Sequence, residues 1–279
     1  MHPPLNSLPA RQAALRRSDW PFLAGLGIIG ILYLGLILAL LVADASFTSP
    51  AHLWAALRSP EIRFAIKLSF LSSSLTMILA LGAAVPIGYL MSRRDFFGKS
   101  LLDAVLDIPI VLPPMVIGLS LLILFQTRMG RAIESVVPVT YEVPSVILAQ
   151  FMVACAFAVR TMRATFDQIS PRREQVALTL GCRRSQAFWL VVLPEAKRGI
   201  LTAATLAWAR SLGEFGPVLV FSGATRMRTE VLPTSIFLEL SVGNLEAAVA
   251  VSLLMVGTAL MVLGLIHLFG FDPSLKQIR

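Results

Sequence analysis

Six apolar stretches, separated by polar and basic segments, set the plan of this chain. Residues 21–43 carry no charge. At about 1.5 Å per residue, a helix of that length crosses a hydrocarbon core of about 30 Å. The second stretch covers 68–91 and is interrupted by Pro86-Ile87-Gly88. The third covers 108–126, opened by Pro109 and the Pro113-Pro114 pair, and the remaining three cover 143–159, 199–222 and 246–269. Prolines and glycines inside such spans mark bends, tolerated where neighbouring helices or a cavity satisfy the freed backbone groups. The pattern predicts an all-α membrane protein with six transmembrane helices.

Composition agrees. Hydrophobic residues make up 56% of the chain and charged residues 14%, against about 25% charge in average soluble domains. A net charge of +8 raises nucleic acid as a partner. The basic residues cluster at the ends of apolar spans and not on an aromatic-interleaved face, so membrane lipid is the expected surrounding and nucleic acid is not. Sixteen Lys and Arg fall on one side of the six spans and seven on the other, with Arg210 inside the fifth. That bias predicts both termini and the 160–199 segment in the cytoplasm. Residues 1–20 and 271–279 then read as cytoplasmic tails around a transmembrane domain over 21–270. Ala43-Asp44-Ala45 has the small-x-small form of a cleavage site, but the apolar run before it exceeds the 7 to 15 residues usual for a signal peptide, so the segment is expected to stay as a span.

No chemistry of bond making is visible. Cys155 and Cys182 fall in a span and in a polar loop and give no disulfide framework. His2, His52 and His267 lack ligand spacing, so no metal and no cofactor are expected. Gly98-Lys99-Ser100 has the tail of a phosphate-binding loop, but Arg93 stands where the first glycine should be. The chain is not expected to bind ATP or to be an enzyme, and no catalytic residue is assigned.

The most specific stretch is the long polar segment over 164–198. Arg172 to Leu180 reads as a short helix, with Pro171 at its first turn and Glu174 near its positive end. Gly181 is placed to end it at a positive φ. A second amphipathic stretch, Ser185 to Val192, carries Phe188, Trp189, Val191 and Val192 toward the membrane before Leu193-Pro194. On its own this pattern fits an interfacial helix between two spans as well as a docking element. However, Ala177 is followed by Gly181 four residues on, Val191 fourteen on, and Leu193-Pro194 at sixteen and seventeen. That spacing resembles the cytoplasmic EAA loop of ABC-transporter permeases, except that Gln175 stands at the acidic position and Glu174 lies one residue earlier. The resemblance implies that Glu174, Gln175, Ala177, Gly181, Leu193 and Pro194 form the surface on which an ABC ATPase subunit pushes.

Span five holds Arg210-Ser211-Leu212-Gly213-Glu214-Phe215-Gly216-Pro217. Arg210 and Glu214 share one helical face and can pair across a turn, while the glycines and proline should break the helix. The stretch is similar to the LGEFG segment of molybdate-type permeases, which makes Arg210, Gly213, Glu214 and Gly216 pathway candidates; a pair that only fixes helix packing fits the residues too. Phe221 to Thr225, Arg228 to Pro233 and Gly243 to Ala248 also resemble the molybdate-type pattern, with Ala224 and Asn244 in place of its Asn and Asp. Arg226 and Arg228 could attract an oxyanion, contact a binding protein, or be ordinary loop residues. Taken together, the resemblance to molybdate/sulfate-type ABC importer permeases implies a type I, MetI-like fold in the bacterial inner (plasma) membrane. It implies a homodimeric pore for an oxyanion, molybdate or tungstate before sulfate, phosphate or another solute, fed by an extracytoplasmic solute-binding protein. A non-transporting membrane scaffold is the rival of another class.

Overall fold

The computed structural model describes residues 20–269, so the expected tails, Trp20 apart, lie outside the described residues. These residues form helices and connecting loops, in two units that divide at Ser49 and Pro50. The first unit contributes helix α1 (Trp20–Phe47), within which Ala43-Asp44-Ala45 is helical. Its side chains alternate around the helix without an apolar stripe and stand exposed, as suits a helix bathed in lipid.

The second unit holds α2 (Pro50–Arg58), α3 (Pro60–Arg93), α4 (Lys99–Val111), α5 (Pro114–Gln126), α6 (Arg128–Glu134) and α7 (Val143–Gln168). It continues with α8 (Pro171–Thr179), α9 (Arg184–Ala187), a π-turn (Phe188–Val192), α10 (Leu193–Glu195), α11 (Lys197–Leu212) and α12 (Gly216–Ser222). Helices α13 (Leu232–Ser241) and α14 (Leu245–Phe269) complete it. The core is built where α3, α7 and α11 run against one another. Ala80, Ala84 and Gly88 recur every fourth residue on one face of α3, with Ala154 and Ala158 on α7 and Ala203 and Ala207 on α11, all buried. Small side chains let helix backbones come close, the favoured contact where lipid removes any hydrophobic drive between helices. Two further cores flank this one. In one, Phe125 and Phe221 meet at 5.3 Å between α5 and α12; in the other, Trp208 lies 5.8 Å from Phe70 beside Leu212, Leu232 and Val251.

Six continuous spans are not what the fold shows. Among the described residues, four helices can cross a membrane by length and composition: Phe22–Phe47, α3, α7 and Leu245–Val262 of α14. The α4–α5 pair makes a fifth if its two arms count as one span, bent by 110°. The expected third span straddles that bend. Residues preceding proline avoid the α region, and Leu112 and Pro113 are both extended, with ψ of 141° and 132°. The expected fifth span is cut at residues 213–215 into α11, 16 residues long, and α12, 7 residues long. Its longer piece reaches only about 24 Å. In contrast, α3 runs through Pro86 without a break and begins eight residues before its apolar stretch. Its start is set by Ser59, whose Oγ accepts from the Ile62 N–H, with Pro60 and Glu61 in the first turn.

A Cβ at Gly88 would lie 2.9 Å from the Arg163 nitrogen, part of a backbone that cannot swing aside, whereas Gly82 has open space around it. We expect Gly88→Val to lower the unfolding temperature in detergent, at a cost of about 1–3 kcal/mol, and Gly82→Ala to leave it unchanged or slightly raised. Equal behaviour of the two variants would contradict the close contact between α3 and α7.

Candidate functional site

Helix α8 ends as its sequence requires. Gly181 has φ +89°, the Cys182 N–H donates to the Ala177 carbonyl at 3.1 Å, and the Gly181 N–H donates to that of Leu178 at 3.1 Å. This pair of bonds is a Schellman cap, which a glycine closes at least cost. Beyond the cap, α9, the π-turn, α10 and α11 succeed one another as a nearly continuous helix. Pro194 has no N–H and its ring crowds the carbonyl four residues back, so the turn ahead of it widens. The Leu193 N–H accordingly bonds the carbonyl of Phe188, five residues back.

The six loop residues divide into two groups. Gln175, Gly181 and Pro194 face outward with Val176, Leu180, Trp189 and Leu190. Ala177 is buried, and Leu193 and Glu174 are half-buried. In the second stretch Val192 is buried and Phe188 packs on the core, while Trp189 is exposed. Glu174 turns toward α3, where Tyr89 Oη donates to its Oε1 at 2.7 Å and Arg93 Nε lies 3.6 Å from its Oε2. Arg173 pairs with Glu195, fastening α8 to α10.

At the other candidate site the helix breaks, as the glycines and proline foretell. Arg210 Nη1 lies 2.7 Å from Glu214 Oε2, and the Arg210 guanidinium carbon sits 5.7 Å from the centre of the Phe157 ring. Glu214 is only 2% exposed, while the Arg210 side chain is 31% exposed, so the cation is the member that meets its surroundings. A Cβ at Gly216 would meet Met115 at 3.1 Å, whereas one at Gly213 would find its first neighbour at 3.7 Å. Gly216 therefore seats α12 against the start of α5, and Gly213 answers to no such contact.

In the 223–244 region both arginines are engaged by carboxylates. Arg226 Nη2 donates to Glu239 at 2.7 Å and Nη1 to Glu230 at 3.3 Å, and Arg228 pairs with Glu142. Burial pushes the Glu230 carboxyl above its ordinary range, against the Ser235 hydroxyl and Arg226, which lower it. The bond from Arg228 holds the Glu142 carboxyl below its own. Two carboxylates on one guanidinium leave Arg226 with no charge to spare for a solute. A cavity of about 300 Å³ beside this cluster is lined by His52, Ser59, Glu239, Asn244 and Glu246. His52 Nε2 lies 3.1 Å from Glu246.

Residues 84–273 match the family of the inner membrane component of binding-protein-dependent transport systems. The chain belongs to that family. A probable molybdenum ABC transporter permease of Haloferax volcanii is 35% identical over 247 residues, which is 88% of each chain. The sulfate transport system permease CysT of Salmonella typhimurium is 32% identical, over 81% of this chain and 83% of its own. The fold resembles that of a bacterial alginate ABC transporter solved with a periplasmic protein bound to an alginate pentasaccharide, with a TM-score of 0.69 and 18% identity over 90% of this chain and 93% of that one. The resemblance to ABC importer permeases and the all-helical membrane fold are therefore upheld.

In this permease, the partners of the candidate residues were the part hidden from sequence reading. Tyr89 and Arg93 lie 85 and 81 positions from Glu174 along the chain, and only the fold brings them there. Arg210 and Glu214, four residues apart, were legible as a pair. Removing Arg210 should lower stability by up to about 3–5 kcal/mol, because the buried Glu214 is left without its partner, whereas removing Glu214 should cost less, since Arg210 is partly exposed. Replacing both by Met should restore stability, read from thermal unfolding in detergent. If uptake stays lost in the stable double variant, the pair serves the pathway; if it returns, the pair only packs.

Proposed function

We propose that this permease forms the pore of an ATP-driven importer for a tetrahedral oxyanion, molybdate or tungstate before sulfate. The solute is delivered by an extracytoplasmic binding protein. The observation that carries the solute class is the pair of relatives, one named for molybdenum and one for sulfate. Molybdate and sulfate are both tetrahedral dianions, so one pathway chemistry serves either. Arg210 is the half of its pair placed to meet an anion. Glu214 beneath it offsets the charge, so that the anion is held weakly enough to leave, as conduction requires.

Two copies pair in the membrane, and each docks an ATPase subunit through residues 164–198. The exposed, glycine-capped end of α8 supports that role, since a rigid knob transmits a push that a flexible loop would absorb. ATP binding and the binding protein each favour one of two pore conformations by contacting it better, a population shift. Both termini lie in the cytoplasm, as the count of basic residues supports, with the bent α4–α5 pair and the broken α11–α12 pair each crossing once.

Deletion should abolish uptake of labelled molybdate and tungstate at nanomolar concentration and spare sulfate; loss of sulfate alone would replace the assignment. Gly181→Val should insert normally yet lose uptake, because a β-branched side chain is strained at positive φ. Retained uptake with the ATPase still co-purifying would defeat the docking role. Cysteines placed at residues 98 and 180 should label only from inside, and one at 230 only from outside. Outside labelling at 180 would reverse the orientation.

A further inference from the structure

Glu174 stands apart from the other polar residues of α8. Arg172, Arg173, Gln175 and Thr179 are exposed, whereas Glu174 is half-buried and directed at α3. Its partners, Tyr89 and Arg93, are one turn apart at the end of that helix. The same turn collects other pieces of the segment. Arg93 Nη2 donates to the Ile169 carbonyl at 2.7 Å, and the Tyr89 ring meets Phe166 edge-on at 5.6 Å and Phe188 at 4.7 Å. The end of α7, helix α8 and the π-turn thus converge on one turn of α3.

Apart from the exposed Arg173–Glu195 pair, little else fixes α8. Of its nine residues only Ala177 is buried, and a helix that short is marginal by itself. A carboxylate hydrogen-bonded by a phenol and flanked by a guanidinium, out of bulk water, makes a stronger bond than a neutral pair does. We infer that Glu174 is a positioning residue that works inward: bound to Tyr89 and Arg93, it latches α8 to the end of α3, so that a push on the segment enters the α3–α7 core. It is then not a contact of the ATPase. The inference rests on the docking role proposed for residues 164–198.

The test uses Tyr89→Phe, which removes the hydroxyl and keeps the ring, together with Glu174→Gln and the double variant. Amide exchange over residues 171–181 is measured in the full-length chain in lipid nanodiscs. Each single variant should speed exchange there about tenfold, and the double variant should add little, because both remove one bond. In the assembled transporter the ATPase should stay bound while solute moved per ATP hydrolysed falls several-fold. Unchanged exchange in both single variants overturns the latch. So does loss of the ATPase from Glu174→Gln with Tyr89→Phe intact, since Glu174 would then be a partner contact. Faster exchange with a normal ratio of solute to ATP overturns transmission through it. Exchange is measured without an ATPase, so a wild-type chain that binds none would refute the docking role and leave the latch decided separately.

Discussion

The close approach of α3 to α7 is the constraint on which the rest of this fold depends. Alanines and Gly88 at every fourth position bring the two backbones together, and α11 joins them through Ala203, Ala207 and Gly199. A Cβ at Gly199 would fall 2.1 Å from the hydroxyl oxygen of Thr165, so no larger residue fits without separating the helices. Helices held this tightly must also settle the polar groups trapped between them. Thr76 donates to Gln150 at 3.2 Å, and Ser69 accepts from the Leu232 N–H at 2.8 Å, which ties α13 to the same frame. The broken helix at 213–215 and the α8 segment both hang from this frame, one at the end of α11 and the other beyond the end of α7.

How much of this the chain discloses in advance depends on the range of the interaction. Apolar stretches located α1, α7 and α14, because a membrane helix is chiefly a matter of local composition. The same rule missed residues 60–67, where Glu61, Arg63 and Lys67 lower the hydropathy of a helix whose start is signalled by Ser59 and Pro60 instead. It also drew one span across Pro113-Pro114, although two prolines in succession are a local sign of a turn. Gly181 was legible since its backbone angle answers to the helix just before it. The fate of Arg228 was not: Glu142 is 86 residues away, and no local pattern announces such a pair. Arg226 lies between these cases, with Glu230 four residues on and Glu239 thirteen.

Several basic residues at the ends of the apolar stretches also fasten the fold. Arg160 pairs with Asp107 and Arg163 with Asp103. These two links hold α4, a helix with no buried residue of its own, against α7. Arg93 and Arg173 act likewise at α8. Charge placed at the ends of spans thus holds short helices that have little apolar surface to bury.

The π-turn before Pro194 has a consequence for angle more than for length. A wide turn carries one residue more than the α-turn it replaces, and each residue advances an α-helix by about 100°. Everything upstream of Phe188 is therefore rotated about the helix axis by more than a quarter of a circle relative to an unbroken helix running into α11. Within the turn itself, Trp189 and Leu190 face outward while Val192 faces the core. The proline fixes the dial at which the loop helices are mounted on the membrane frame.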